Sequence, residues 1–155
     1  MRRRNAHREG DMFRKILLCY DGTVEGRNAL KQGADVALCM KAETYLLAVC
    51  RSGIDGSIPE GITPALIQCD TDRAQSVLDE GVAWLAAHGL QAHGSLVYGE
   101  PLDHIPSVAR EIGADLIVVG HRQRGRLARW WSESGEETLL DLTNCSILAA
   151  VVTPE

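Results

Sequence analysis

The run "ADLIVVG", residues Ala114–Gly120, decides the fold class of this chain of 155 residues. Its aliphatic side chains are consecutive rather than alternating, which is typical of a strand in a parallel sheet with helices on both faces. A glycine ends the run, and a polar, arginine-rich stretch follows it. The segment therefore predicts a central parallel strand that ends in a loop.

Similar apolar runs recur along the chain, and segments of helical periodicity separate them. Strands are predicted at 14–20 ("RKILLCY"), 44–50 ("TYLLAVC"), 91–99 ("QAHGSLVYG") and 146–152 ("SILAAVV"). Helices are predicted over 24–40, over about 65–88, from within 100–113, and over 136–142. Because parallel strands need crossover connections that helices supply, the prediction is a Rossmann-like, three-layer α/β sandwich with a five-stranded parallel sheet in the order 3-2-1-4-5. Residues 1–12 are expected to form a flexible basic tail and 13–155 one domain.

Several local features follow from the same patterns. In the helix predicted to start within 100–113, Asp103 is the expected N-cap, which would put Pro106 in the first turn. The apolar faces of the first two long helices are expected to contain Ala29, Leu30, Ala34, Ala37 and Leu38, and then Val77, Leu78, Val82, Leu85 and Ala86.

Composition excludes several classes of protein. With 45% apolar and 24% charged residues the chain is an ordinary globular domain, and its net charge of −5 argues against nucleic acid as a partner. No apolar stretch approaches the length of a membrane span. The five cysteines include no C-x-x-C pair, which predicts reduced, unreactive thiols in a cytoplasmic protein and no metal site; Cys69, beside two aspartates, is the one expected to be exposed.

In an open parallel sheet, ligands bind beyond the carboxyl ends of the strands where the strand order reverses. For the predicted order that point lies between the first and fourth strands, which deliver "YDGT" (Tyr20–Thr23) and "VGHRQRG" (Val119–Gly125). A small-molecule site is therefore expected around Asp21, Gly22, Val49, Gly120 and the residues after Gly120.

Motifs for catalysis are absent from the sequence. There is no G-x-x-x-x-G-K-[ST], G-x-G-x-x-G or G-x-S-x-G motif, and the histidines (His7, His88, His93, His104, His121) have no metal-ligand spacing and are expected at the surface. Asp21 is similar to the phosphoacceptor of a receiver domain, but the last strand lacks the lysine that such a site requires. We therefore expect no enzymatic activity, with slow ATP hydrolysis left open.

The ordered set "KILLCYDGT", "LLAVC", "VYGEPLDHI", "ADLIVVGHRQRGRLARWW" and "NCSILAAV" resembles the universal stress protein family over about residues 13–152. The resemblance implies an adenine nucleotide alpha hydrolase-like fold, a role in the stress response and a homodimer joined through the last strand, Ser146–Val152. It also implies candidate nucleotide contacts, at Asp21, Gly22, Thr23, Val49, Gly120, Arg122, Gly125 and Ser134. For Asp21 and Val49 a structural interpretation stays open, with Asp21 capping the first helix and Val49 in the core.

By the same resemblance, the members of that family that bind ATP share a loop with the sequence motif G-x2-G-x9-G-[ST]. Laid without gaps after Gly120, this chain has Gln123 and Glu133 at the second and third glycine positions, followed by Ser134. An alternative alignment of the motif starts at Gly125, but it misplaces the run of basic and apolar residues that includes Trp130 and Trp131. One of these two tryptophans is expected to pack on the sheet.

These replacements oppose phosphate binding. Glycine allows backbone N–H groups to turn toward phosphate oxygens, whereas a glutamine in the left-handed region costs roughly 1–2 kcal/mol. The Glu133 carboxylate would repel a phosphate at 4 Å by about 1 kcal/mol in water and about 4 kcal/mol near a protein surface. A total loss of about 3–5 kcal/mol would turn a micromolar site into a millimolar one.

Arginines in the same loop could instead favour phosphate binding. Arg122, Arg124, Arg126 and Arg129 could bind phosphate, could pair with Glu133, Glu136 and Glu137 and close the loop, or could be solvated. The sequence therefore indicates a dimeric regulatory or protective domain that requires no cofactor and binds nucleotide weakly or not at all. The alternative is an ATP or ADP sensor that uses the loop arginines, with ATP, ADP or AMP as its ligand.

Overall fold

The computed structural model describes residues 12–22, 24–50, 64–122 and 139–152, without the side chains at 24, 25, 64–70, 121, 122 and 152. The predicted basic tail up to residue 11 and the segments 51–63 and 123–138 lie outside the described residues. The elements follow one another as β1 (Lys15–Tyr20), α1 (Val24–Met40), β2 (Glu43–Cys50), α2 (Pro64–Ala87), β3 (Ala92–Tyr98), α3 (Pro101–Ile112), β4 (Leu116–Arg122), α4 (Leu139–Leu142) and β5 (Ser146–Val152).

The strands form one five-stranded sheet in which every neighbouring pair is parallel and the order is β3-β2-β1-β4-β5. Side chains alternate between its two faces, so each face has its own buried cluster. On one face Ile16 and Leu18 of β1 pack with buried residues of α1 and α2. On the other face Leu17 packs with residues of α3 and α4, among them Ile105 and Leu139. The predicted three-layer sandwich and its strand order are confirmed.

Most element bounds agree with the sequence pattern, and the differences lie at the ends. Helix α1 and strand β5 have the predicted limits, and β4 continues two residues beyond Gly120 to Arg122. The last predicted helix is described only as Leu139–Leu142, since its first three predicted residues lie outside the described part of the chain. None of the described helices is long and apolar enough to span a membrane.

The start of α3 differs from the prediction. The N-cap is Glu100, which makes no side-chain capping hydrogen bond, and Pro101 takes the first helical position. Asp103 therefore lies inside the first turn and is not the cap, and Pro106 lies within the helix. The reason is that a proline favours the first helical position, because its missing N–H has no acceptor there in any case.

Two residues assigned to the apolar helix faces are exposed. Leu38 of α1 is 42% exposed, and Ala86 of α2 is exposed as well. Each lies one residue beyond a fully buried neighbour, Ala37 or Leu85. Because successive helical residues turn by about 100°, that step moves both side chains off the buried stripe.

The amino ends of three strands are held together by one residue, Asp115, through its carboxylate and its backbone. Oδ2 of half-buried Asp115, just before β4, accepts hydrogen bonds from the backbone N–H groups of Arg14 (2.9 Å) and Lys15 (3.0 Å) at the start of β1. Its own N–H donates to the Lys15 carbonyl oxygen, and its carbonyl oxygen accepts from the N–H of Ser146, the first residue of β5. This junction fixes β1, β4 and β5 at one edge and leaves the opposite, carboxyl edge for a site.

Candidate functional site at the carboxyl edge of the sheet

The two central strands separate before they end. Pairing between β1 and β2 extends to Tyr20↔Ala48, and pairing between β4 and β5 extends to the last residue of each strand. Between β1 and β4, by contrast, the described pairing stops at Leu18↔Val118. The strands therefore open a crevice between the end of β1 and Gly120, at the point where the strand order reverses. This is where a parallel α/β sheet binds its ligands.

The β1 side of the crevice is a tight turn. Asp21 is exposed, and Gly22 has a φ of +81°, in the left-handed region that favours glycine. Helix α1 begins at Val24, and Thr23 before it lies outside the described residues. The interpretation of Asp21 as the cap of this helix stays a prediction.

The end of β2 forms the floor beside that turn. Val49 is only 7% exposed and packs in the α3-side core, which confirms the structural interpretation of its side chain. The next residue, Cys50, is half-buried, and its burial, followed by the charge of Asp21, raises the pKa of the thiol. Asp21 and Cys50 thus lie within electrostatic range of each other at the same edge.

The thiols near the sheet are poorly suited to nucleophilic chemistry. Burial, followed by the charge of Cys145, raises the pKa of Cys19, which lies inside the α3-side core. Burial and then the charge of Asp115 raise the pKa of Cys145. All three shifts lower the thiolate fraction at neutral pH, as predicted for unreactive cysteines. The side chain of Cys69 lies outside the described residues.

On the β4 side, the described residues end with the strand, and the predicted phosphate loop lies outside them. Gly120 is half-buried within β4, and Arg122 is the last residue of the strand. The other candidates (Thr23, Gly125, Ser134), the replaced glycine positions (Gln123, Glu133), the remaining loop arginines and Trp130 and Trp131 lie outside the described residues. The structure brings Asp21, Gly22, Val49 and Gly120 to one edge and leaves the phosphate-loop predictions as predictions.

The end of β3 and the start of α3 also lie at this edge of the sheet, and neither contains a residue predicted for the site. The N–H of Gly99 donates to the carbonyl oxygen of Cys50 over 3.1 Å, which ties the end of β3 to the end of β2. Gly99 has a φ of +128°, and a Cβ there would lie 2.9 Å from Nε2 of His104. His104 is half-buried rather than at the surface as predicted, because it covers this glycine. In the sequence, the turn-forming residues "GEP" at 99–101 were the signal that could have indicated this contact.

The described residues do not meet the requirements of a metal site. Within the part of the chain that the structure describes, no three His, Cys, Asp or Glu side chains are placed to hold a metal ion. What the described residues bring to this edge is the exposed carboxylate of Asp21, the backbone of Gly22 and Gly120, and the apolar end of β2. Such a combination suits an organic ligand with an apolar ring and hydroxyl groups better than a bare ion.

Several known proteins that are similar to this chain carry one family description. A sequence profile described as the universal stress protein family matches residues 12–150. A relative from Bacillus subtilis, universal stress protein YxiE, is 27% identical over 145 residues, which is 88% of this chain and 98% of the relative.

Solved structures show the same fold. A universal stress protein family structure from Burkholderia pseudomallei superposes with a TM-score of 0.68 and 25% identity over 89% of this chain and 96% of the other. A universal stress protein in complex with cAMP has a TM-score of 0.64 at 17% identity, covering 89% and 97% of the two chains. An Arabidopsis thaliana family member with AMP bound has a TM-score of 0.65 at 15% identity, covering 90% and 92%.

The family profile spans nearly the whole domain, and solved structures of the family share its fold. This chain belongs to the universal stress protein family.

Proposed function

We propose that this chain is a dimeric regulatory or protective module without catalysis of its own, and that its affinity for adenine nucleotides is weak or absent. The observation that carries the proposal is the sequence that follows the crevice. In the sequence after Gly120, Gln123 and Glu133 occupy two positions at which, by the resemblance to the family, nucleotide-binding members have glycine. The replacements remove backbone freedom and add a negative charge where phosphate would approach.

In this proposal, any remaining nucleotide affinity comes from contacts between the crevice and the adenosine part of the ligand. Asp21 is exposed at the end of β1, where a carboxylate can accept hydrogen bonds from ribose hydroxyls. Gly22 keeps the left-handed turn beside it, and the β2 floor at Val49 is apolar. A nucleoside could therefore be recognised, while the phosphate groups would gain little.

A thermal-shift titration with ATP and with AMP, each with and without Mg²⁺, tests the proposal. With a millimolar dissociation constant, a ligand at about 100 μM adds only ~0.06 kcal/mol of stability. With a dissociation constant of about 10 μM the same ligand adds ~1.4 kcal/mol, which raises the Tm of a domain of this size by about 3–6 °C. We expect no resolved shift at that concentration. A dissociation constant below about 50 μM would overturn the proposal.

The dimer is proposed to form through β5. This strand is at one edge of the described sheet, and Val151 is 47% exposed on it. An aliphatic edge strand with unpaired backbone groups favours pairing with a second chain. Leu140 on the adjoining helix α4 is 57% exposed and would extend the same surface.

Sedimentation of single variants tests this interface. We expect the unmodified protein to be a dimer at micromolar concentration and Val151→Arg to be a monomer. Ser95→Arg, at an exposed position on the opposite edge strand β3, is the control and should remain a dimer. A monomeric unmodified protein, or equal behaviour of both variants, would contradict the β5 interface.

The site of action is proposed to be the cytoplasm. The described cysteines Cys19, Cys39, Cys50 and Cys145 are all free thiols, and reduced thiols are the rule in that compartment.

A second candidate function is an ATP or ADP sensor, and the structural neighbours with cAMP and AMP favour it. In this version the guanidinium groups of Arg122, Arg124 and neighbouring arginines replace the missing backbone contacts to phosphate. It predicts that ATP binds more tightly than AMP and that Arg122→Ala weakens ATP specifically. The first proposal predicts no difference between the two nucleotides.

A further inference from the structure

Helix α2 packs tightly on the turn that forms the β1 side of the crevice. A Cβ atom built on Gly22 would lie 3.1 Å from Cγ2 and 3.3 Å from Cγ1 of Val77. Because ordinary carbon–carbon contacts lie at about 3.5–4.0 Å, a side chain at that position would require Val77 to shift by a few tenths of an ångström. Both branches of the valine side chain therefore cover the Gly22 backbone.

One turn further along α2, a second contact fixes the strand that leads into the turn. A Cβ on Gly81 would lie 3.0 Å from Cδ1 of Tyr20, the last residue of β1. Tyr20 is 2% exposed, so its ring is enclosed. Residues four apart project from the same side of a helix, so Val77 and Gly81 hold consecutive parts of one segment, Tyr20 to Gly22.

A third contact comes from the ion pair between Arg27 of α1 and Glu80 of α2. A hydrogen bond to the Tyr20 side chain and then the charge of Glu80 raise the pKa of the Arg27 guanidinium. Both side chains of the ion pair are about half exposed, and exposed pairs stabilise little. The packing of Val77 is therefore the stronger restraint, and the ion pair is secondary.

We propose that Val77 is a positioning residue that holds the Asp21–Gly22 turn in its ligand-receiving conformation, so that helix α2 sets the shape of the candidate site. Glycine can adopt many backbone conformations, and a turn built on it keeps one of them only when its neighbours enforce it. Val77 supplies that enforcement from the adjoining helix. The consequence for ligand affinity rests on the proposed nucleotide site, whereas the restraint on the turn does not.

The chain offers a matched control in Val82. It lies in the same helix, is half-buried like Val77, and its Cγ2 lies 3.0 Å from the Cβ position of another glycine, Gly94 of β3. Val77→Ala and Val82→Ala remove the same atoms from equivalent packing and should lower the Tm by similar amounts. Only Val77→Ala releases the turn, since Gly94 lies in a paired strand away from the crevice.

The deciding measurement is ¹⁵N relaxation of the nucleotide-free protein. We expect the order parameter of Gly22 to fall from about 0.85 to below about 0.6, or microsecond–millisecond exchange to appear there, in Val77→Ala and not in Val82→Ala. Val77→Ile, which keeps both γ carbons, should preserve the rigid turn. Equal Gly22 dynamics in the two alanine variants would overturn the proposal, because loss of stability would then be the sole effect.

A second measurement separates this proposal from the proposed function. AMP titration by ligand-observed NMR should show affinity at least about threefold weaker in Val77→Ala than in Val82→Ala. If the unmodified protein shows no AMP signal, the relaxation result alone decides the positioning role. A mobile Gly22 with unchanged AMP affinity would overturn the link between α2 and the ligand.

Discussion

Replacing Gly22 by alanine tests whether the turn is restricted by its backbone conformation alone or also by α2. Gly22 and Gly89 have almost the same φ, +81° and +83°, but a Cβ on Gly89 would meet nothing within 4 Å. Both alanine variants should therefore lose about 1–2 kcal/mol from the left-handed conformation. Gly22→Ala should lose about 1 kcal/mol more, at the low end of the cost of overpacking, because its Cβ would lie 3.1 Å from Val77.

Urea unfolding measures these differences, since a change in midpoint at constant m-value reports stability. The double variant Gly22→Ala/Val77→Ala should recover the contact part of the loss, which gives a coupling energy of about 1 kcal/mol in a double-mutant cycle. Equal losses for Gly22→Ala and Gly89→Ala, with no coupling to Val77, would refute the close contact between α2 and the turn.

Three further predictions concern other parts of the chain. Asp115→Ala should lower the free energy of unfolding by about 1.5–3 kcal/mol, measured in urea, because two backbone N–H groups lose a charged acceptor; a loss below about 0.5 kcal/mol would contradict the junction. Thiol labelling followed by mass spectrometry should modify exposed Cys39 in the folded protein and Cys19 only on unfolding, since burial raises the Cys19 pKa and blocks access; equal rates would contradict this. The double substitution Gln123→Gly/Glu133→Gly should raise ATP affinity at least about tenfold in calorimetry, and unchanged affinity would show that the loop energetics are wrong.

The sheet could be predicted because its signals are local. "KILLCY" and "DLIVVG" each contain an uninterrupted aliphatic run, and alternation with helical segments favours parallel pairing. The start of α3 could not be predicted reliably, because Pro101 and Asp103 are both helix-start signals and only the structure shows that proline takes precedence.

The candidate site was predictable only in part. Its location at Asp21 and Gly120 follows from strand order alone, since that order sets where the sheet opens. The contact between Val77 and Gly22 depends on how a helix more than fifty residues away in the sequence packs. No local sequence pattern predicts a contact between residues so far apart. The same holds for His104 over Gly99, where only the glycine of a turn sequence gave a hint.

The central claim is that the segment after Gly120 does not bind phosphate. The ratio of the AMP dissociation constant to the ATP dissociation constant tests this claim most directly. Both constants should be measured by calorimetry on the same unmodified protein with Mg²⁺ present. If the phosphate contacts are lost, ATP gains nothing from its two additional phosphate groups and the ratio is about one, with both constants weaker than about 50 μM. ATP binding at least about tenfold tighter than AMP, a difference of about 1.4 kcal/mol, would contradict the claim.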